Sequence, residues 1–268
     1  MITIIVFSKD RACQLELCLR SIKEKFHVDK KILVQYTSTN EDYEIGFQNV
    51  AKLYPDTEFI RETNFKETLQ ETLKKVNTEY VVFFTDDDVF IKGIDCYMYE
   101  DKYHCLSLRM NPKINRCYPA NNKLIKPPSL IRSFSLSIHE RMSWNWTEAE
   151  DQHTCWGYPM AINSHIYRSR DIMPLIYQGV YNNVNSLESH LNRNRWFDKP
   201  YMLSFTETKV FNVQNNFVQG PRQNEIEYSV EWLNEQFLAG KRISTDNIYG
   251  LEPQAAHGKL EYILEDIK

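Results

Sequence analysis

The chain has 268 residues, 42% of them hydrophobic, and a formal net charge of -4, which is enough apolar material for one sizeable core. Its basic residues are scattered rather than gathered in a run, so the electrostatic footprint of a polynucleotide partner is excluded. No stretch is apolar enough to span a bilayer, and the opening MITIIVFSKDR lacks the basic start and long apolar run of a secretion signal.

The first ninety residues alternate between strand and helix patterns, which predicts an α/β sheet with parallel strands and crossover helices. Ile2 to Phe7 is the first strand. Asp10 is expected to cap a helix carrying Leu15, Leu19 and Ile22 on one face, and KILVQY follows as the second strand. TEFIRE supplies a third. Asn64 with Glu67 makes a capping pair for a helix bearing Phe65, Leu69, Leu73 and Val76. After it, YVVFFTDDDVF runs from Tyr80 into three consecutive aspartates.

From Cys96 onward the pattern loosens into short strands and loops, and NPKINRCYPANNKLIKPPS reads as a surface connection. RMSWNWTEAEDQHTCWGY gathers three tryptophans among acids and a histidine. A late amphipathic helix carries Ile226, Val230, Leu233 and Phe237, with Gly240 as its stop. The cysteines at 13, 18, 96, 105, 117 and 155 show no C-x-x-C spacing and no disulfide-scaffold density, so reduced thiols in a cytosolic protein are expected. The sequon at Asn145 is then an accident of composition.

Ligands of open α/β sheets bind beyond the carboxyl ends of the strands, and that is where the aspartates fall. Side chains two apart in an extended chain share a face, so Asp86 and Asp88 are expected to point together and Asp87 away. Such a D-x-D pair suits a hard divalent cation, Mg²⁺ or Mn²⁺, whose shell diphosphate oxygens complete. The first glycine is Gly46, which excludes both the Gly-rich dinucleotide fingerprint and the P-loop at the first strand-to-helix turn, FSKDRACQ.

FSKDRACQLELCLRSI, NFKETL and VVFFTDDDVF together resemble the GT-A-fold nucleotide-sugar glycosyltransferases, particularly family-two-like members of bacteria and large viruses. CWGYPMAINSHIYR is similar to their acceptor-side segment, and PQAAHGKLEY to the place where many such enzymes put a late histidine on the metal. The resemblance implies one GT-A-like domain over 1–268, with a nucleotide-binding half at 1–95 and an acceptor-binding half and tail at 96–268. It further implies a metal-dependent transfer, with Mn²⁺ or Mg²⁺, from a nucleoside-diphosphate sugar to a hydroxyl of a glycan or other acceptor. The implied location is the cytoplasm of a bacterial cell or the host cytosol of a large virus.

On that resemblance Ser8, Asp10 and Arg11 line the nucleotide pocket, Tyr36 or Thr37 faces the base, Asp86 and Asp87 meet ribose or sugar, and Asp88 and His257 hold the metal. Lys66, a cation in a helical first turn, reads as a contact for an anionic ligand. Transfer with inversion needs a carboxylate base, for which Glu188 is the first candidate and Asp151 the second, ahead of Glu148 and Glu150. Trp156 and Tyr158, with Trp144 and Trp146 nearby, could stack on the acceptor sugar. The competing readings are a non-catalytic carbohydrate-binding protein of the same fold and a sugar-phosphate nucleotidyltransferase.

Overall fold

The computed structural model describes residues 1–133, 140–216 and 228–267. The nucleotide-side half runs β1 (Ile2–Lys9), α1 (Ala12–Lys25), β2 (Lys30–Thr37), α2 (Glu41–Leu53), β3 (Glu58–Arg61), α3 (Phe65–Leu73), β4 (Tyr80–Thr85) and β5 (Asp88–Phe90). The next stretch holds β6 (Tyr103–Ser107), the short hairpin of β7 (Arg116–Cys117) and β8 (Lys123–Leu124), β9 (Ile131–Ser133), β10 (Arg141–Asn145) and β11 (His165–Arg168). It continues through α4 (Ser169–Gln178), α5 (Val184–Arg193), β12 (Tyr201–Phe205) and β13 (Val210–Val213). The last elements are α6 (Val230–Leu238), β14 (Lys241–Ile243), β15 (His257–Gly258) and β16 (Leu264–Asp266).

The central sheet has nine strands in the order β3-β2-β1-β4-β11-β6-β12-β10-β9. β3, β2, β1 and β4 are parallel, as the βαβ pattern requires. Beyond β4 the sheet is mixed, because β11 enters antiparallel between β4 and β6. Both faces are covered, which explains why the early strands read as continuous apolar runs. Ile4, Val6, Val82 and Phe84 point to a layer with α1, α2 and α6, whereas Ile5, Phe7, Val81 and Phe83 point to one with α3, α4 and α5.

Asn64 caps α3 as expected, its side chain accepting from the Glu67 N–H at 3.2 Å, although the helix stops at Leu73 and leaves Val76 outside. Asp10 does not cap α1. Arg11 holds the N-cap position without a side-chain bond to the helix end, while Asp10 adopts a φ of 59° and accepts from the Thr39 N–H at 2.7 Å. The late helix begins at Val230, and Ile226 lies outside the described residues. Among the described residues no helix is long and apolar enough to cross a membrane.

Candidate functional site

The carboxyl ends of β1, β2 and β4 stand level, with Phe7 opposite Thr85 and Lys9 opposite Thr37, and a cavity of about 580 Å³ opens beyond them. That volume is within the range of small-molecule sites. Ser8 enters it from β1, Arg11 from the N-cap of α1, Gln35 and Thr37 from β2, and Asp86 and Asp87 from the turn after β4. The opposite wall comes from Arg109, Tyr158, Asn163 and the first turns of α5, including Glu188.

The aspartates do not continue the strand's alternation. Asp86 and Asp87 form a turn between β4 and β5, so both line the cavity, and Asp88 is instead buried behind it. The Asp88 carboxylate accepts from the Thr85 N–H at 2.9 Å and the Asn212 amide at 3.0 Å. The same amide donates to Asp87 at 2.8 Å, so the two carboxylates converge on one donor. Asp86 accepts from the Ser8 hydroxyl at 2.6 Å and from the Arg11 guanidinium, which also reaches Asp87 at 3.3 Å.

Three carboxylates against one guanidinium leave a surplus of negative charge in a buried place. Burial pushes the Asp86 carboxyl up to about 6, against the pull of Arg11, and burial with the Asp87 charge pushes Asp88 up to about 7. Arg11 itself is raised: burial works against its charge, but Asp86 and Asp87 outweigh it. The upward shift of Asp86 beside a bonded guanidinium looks contradictory. Their charge-assisted contact keeps the Arg11–Asp86 pair ionised at neutral pH, so the surplus weighs most on Asp88.

This donor set could hold a hard divalent cation through Asp87 and Asp88, joined by the Asn212 Oδ1, which is buried with no hydrogen-bond partner, once that amide turns over from the orientation in which its nitrogen donates to both carboxylates. It fits less well through His257. β15 sets His257 beside Asn212, which pairs across β13 with Asp88, so the histidine is in the right row. The single lone pair of its Nε2, however, is already shared between the Arg109 guanidinium at 3.0 Å and the Asn163 amide at 3.1 Å. A guanidinium can only donate, so the ring proton sits on Nδ1, and burial and Arg109 hold the ring neutral. Among the described residues no three His, Cys, Asp or Glu side chains form a preformed metal cluster.

Glu188 projects from α5 into the cavity, and its Oε1 accepts from the Ile162 N–H at 2.9 Å. α5 is fixed by a full capping box, in which Asn183 accepts from the Ser186 N–H at 2.8 Å. Burial raises the Glu188 carboxyl above its usual range, while the Ile162 N–H and Arg109 draw it back. Tyr158 lines the same wall, close enough that the Glu188 charge adds to burial in pushing its hydroxyl up.

Several sequence-derived assignments do not reach the cavity. Asp151 lies on a turn outside its lining, bonded to Lys123 at 3.2 Å and to the His153 N–H at 2.9 Å. Trp156 is core: it is 1% exposed, packs edge-on against Trp144 and donates to the Ile114 carbonyl. Trp144 and Trp146 are buried likewise. Tyr36 turns to Glu44 and packs tilted against Phe47 and edge-on against Phe59, Lys66 lies over the Tyr181 ring, and Asp10 is held by Thr39. Sequence reasoning missed Arg109, Asn163, Asn212 and the asparagines at 182, 183 and 185 that line the cavity. The N-cap pattern before α5 was a signal for the last group; Arg109 had none.

The parallel strands of the α/β sheet thus end on an acidic turn that shares its cavity with an arginine and a carboxylate from α5. The chain is similar to the bifunctional glycosyltransferase pgtA of Dictyostelium discoideum, with 30% identity over 245 residues, spanning 77% of this chain. It covers only 30% of the length of that relative. No family model matches. Among solved structures it is similar to S. aureus TarS 1–349 in complex with UDP-GlcNAc, at 13% identity and a TM-score of 0.43, over 85% of this chain and 62% of that one. It is also similar to the mannosyltransferase PcManGT from Pyrobaculum calidifontis in complex with GDP-Man and Mn²⁺, at 18% identity and a TM-score of 0.32, over 40% of this chain and 34% of that one.

Proposed function

We propose that the chain transfers a sugar from a nucleoside-diphosphate sugar to a hydroxyl of a glycan or other acceptor, with a divalent cation at the aspartates. The observation that carries this reading is the division of charge within one cavity. Its strand-end side holds Asp86, Asp87 and Arg11, and its far wall holds Glu188. Sequence relationship to a glycosyltransferase supports the same class.

Ser8, Gln35 and Thr37 would hold the nucleotide, and Asp86 and Asp87 the ribose or sugar. Asp88 would hold Mn²⁺ or Mg²⁺ together with Asp87 and Asn212. When bound, the cation supplies positive charge to the diphosphate and offsets the surplus of the three carboxylates. Arg11 lines the cavity with its Nη2 donating to Asp86 and its Nη1 to Asp87 and Asn216, and it turns to phosphate oxygens as negative charge gathers on the leaving group by giving up the longer Nη1 bonds. Glu188 takes the proton of the acceptor hydroxyl, which its raised affinity for protons favours. Tyr158 and the asparagines before Glu188 contact the acceptor. His257 serves by fixing Arg109, and reaches the cation only if that bond is given up. Six free cysteines suit a reducing compartment such as the cytosol.

Calorimetric titration of UDP and GDP with and without Mn²⁺, followed by a panel of nucleotide sugars scored for metal-dependent hydrolysis, tests the proposal. Cation-dependent binding and turnover of one donor are expected. Binding of a glycan with neither nucleotide nor cation would replace the enzyme with a carbohydrate-binding module.

A further inference from the structure

Cys117 and Cys155 stand with their sulfurs 3.3 Å apart, both buried yet both in the lining of the cavity. They belong to separate pieces of wall. Cys117 ends β7, whose strand is tied to the tail by the Asn115 and Arg116 N–H groups on the Gln254 carbonyl at 3.0 and 3.1 Å. Cys155 sits in a turn closed by the Thr154 N–H on the Asp151 carbonyl at 3.1 Å and the Gly157 N–H on the Thr154 carbonyl at 3.0 Å. A Cβ at Gly157 would come 2.6 Å from the Gln152 Cα, so the turn, and the cysteine it presents, depends on glycine there. None of the other four cysteines lines the cavity.

We propose that Cys117 and Cys155 form a dithiol that closes reversibly to a disulfide on reaction with a small-molecule disulfide admitted through the cavity. The Cys117 thiolate attacks one sulfur of the reagent, breaking its S–S bond and releasing the first thiolate, which takes up a proton. Cys155 then gives up its proton and attacks the Cys117 sulfur, expelling the second thiolate, which is protonated in turn. Two cysteine thiols are oxidised by two electrons, and one disulfide is reduced to two thiols.

The order of attack follows from the pair's asymmetry. Either thiol can donate across the 3.3 Å contact; with Cys155 donating, that bond lowers the Cys117 thiol against its burial and with help from Arg109, and Cys155 keeps its proton. Closing the pair to a bond of ~2 Å fastens the β7–β8 hairpin to the turn at 151–157. That immobilises one wall of the cavity.

The test exposes the native full chain to bis(2-hydroxyethyl) disulfide, blocks remaining thiols by alkylation, and maps the peptides by mass. The expected product is a Cys117–Cys155 cross-link, reversed by dithiothreitol, with slowed hydrogen exchange over residues 116–124. In Cys155→Ser the reagent stops as a stable adduct on Cys117, and in Cys117→Ser modification of Cys155 slows at least tenfold or so, because the low-pKa attacker is gone. Modification confined to Cys96, or an adduct on Cys117 of the parent chain that never resolves, overturns the proposal. The reaction is read without nucleotide, so its outcome is independent of whether the cavity takes a nucleotide sugar.

Discussion

Glu188→Gln separates the chemistry assigned to this carboxylate from its structural bond. Glutamine keeps a carbonyl oxygen for the Ile162 N–H, which Glu188 now serves through Oε1 at 2.9 Å, so α5 and the cavity wall should hold their places. The variant loses the ability to accept a proton. Losing a general base costs about a hundredfold or more in turnover, equivalent to roughly 3 kcal/mol in the barrier. Stability should move the other way. Because the folded chain raises the Glu188 pKa, the native state binds this proton more tightly than the unfolded chain does. Its contribution is therefore fully present below the ordinary glutamate pKa and is lost as pH rises through the raised value. Glutamine escapes that loss, so the variant should melt at or above the parent at pH 7 and converge with it at acid pH. Single-turnover kinetics, donor titration and melts at the two pH values are the assays. Turnover within a few-fold of the parent, with donor binding unchanged, would refute the assignment of the base.

Asp151→Asn should leave turnover within about twofold, since an exposed carboxylate paired with Lys123 contributes little, and a loss comparable to that of Glu188→Gln would restore it as the base. Trp156→Ala should destabilise the chain by about 3–5 kcal/mol in urea unfolding, whereas Tyr158→Ala, at a half-buried position in the cavity wall, should cost less stability and weaken acceptor binding, read as a raised KM. Burial holds the His104 imidazole down to about 4, so its contribution to stability is present above its ordinary value of about 6.5 and is lost as pH falls through 4. That amounts to roughly 3 kcal/mol, and His104→Gln should flatten this part of the acid-unfolding curve. Arg11→Met leaves Asp86 and Asp87 without their guanidinium, and the lowered melting temperature should recover further with Mn²⁺ than that of the parent.

The parts of this fold that the sequence disclosed are those governed by neighbours along the chain. Continuous apolar runs marked β1, β2 and β4 because strands buried on both faces have no polar alternation to show, and Asn64 announced the start of α3 three residues ahead of its partner. The acidic strand end was equally visible. Its facing was not: alternation holds only while the chain stays extended, and mutual repulsion together with the Thr85 and Asn212 donors turns the backbone at Asp86 and Asp87. The tryptophans misled for a related reason. Aromatic rings serve an acceptor site and a core equally well, and what decides is whether a sheet packs over them, which β10 and its neighbours do. Arg109 was beyond reach because its meaning comes from His257, 148 positions away, and from Asn163, 54 away. Those contacts change the chemistry of the tail. A histidine isolated in sequence looks like a metal ligand in waiting, but once a guanidinium donates to its Nε2, metal binding has to displace that bond. Asp87 and Asp88 are also bonded, to the Asn212 amide, to Thr85 and, at Asp87, to Arg11. Each carboxylate nevertheless has spare lone pairs and an uncompensated charge where the neutral imidazole has one lone pair already taken, which is why we propose the cation at the carboxylates and leave His257 to Arg109.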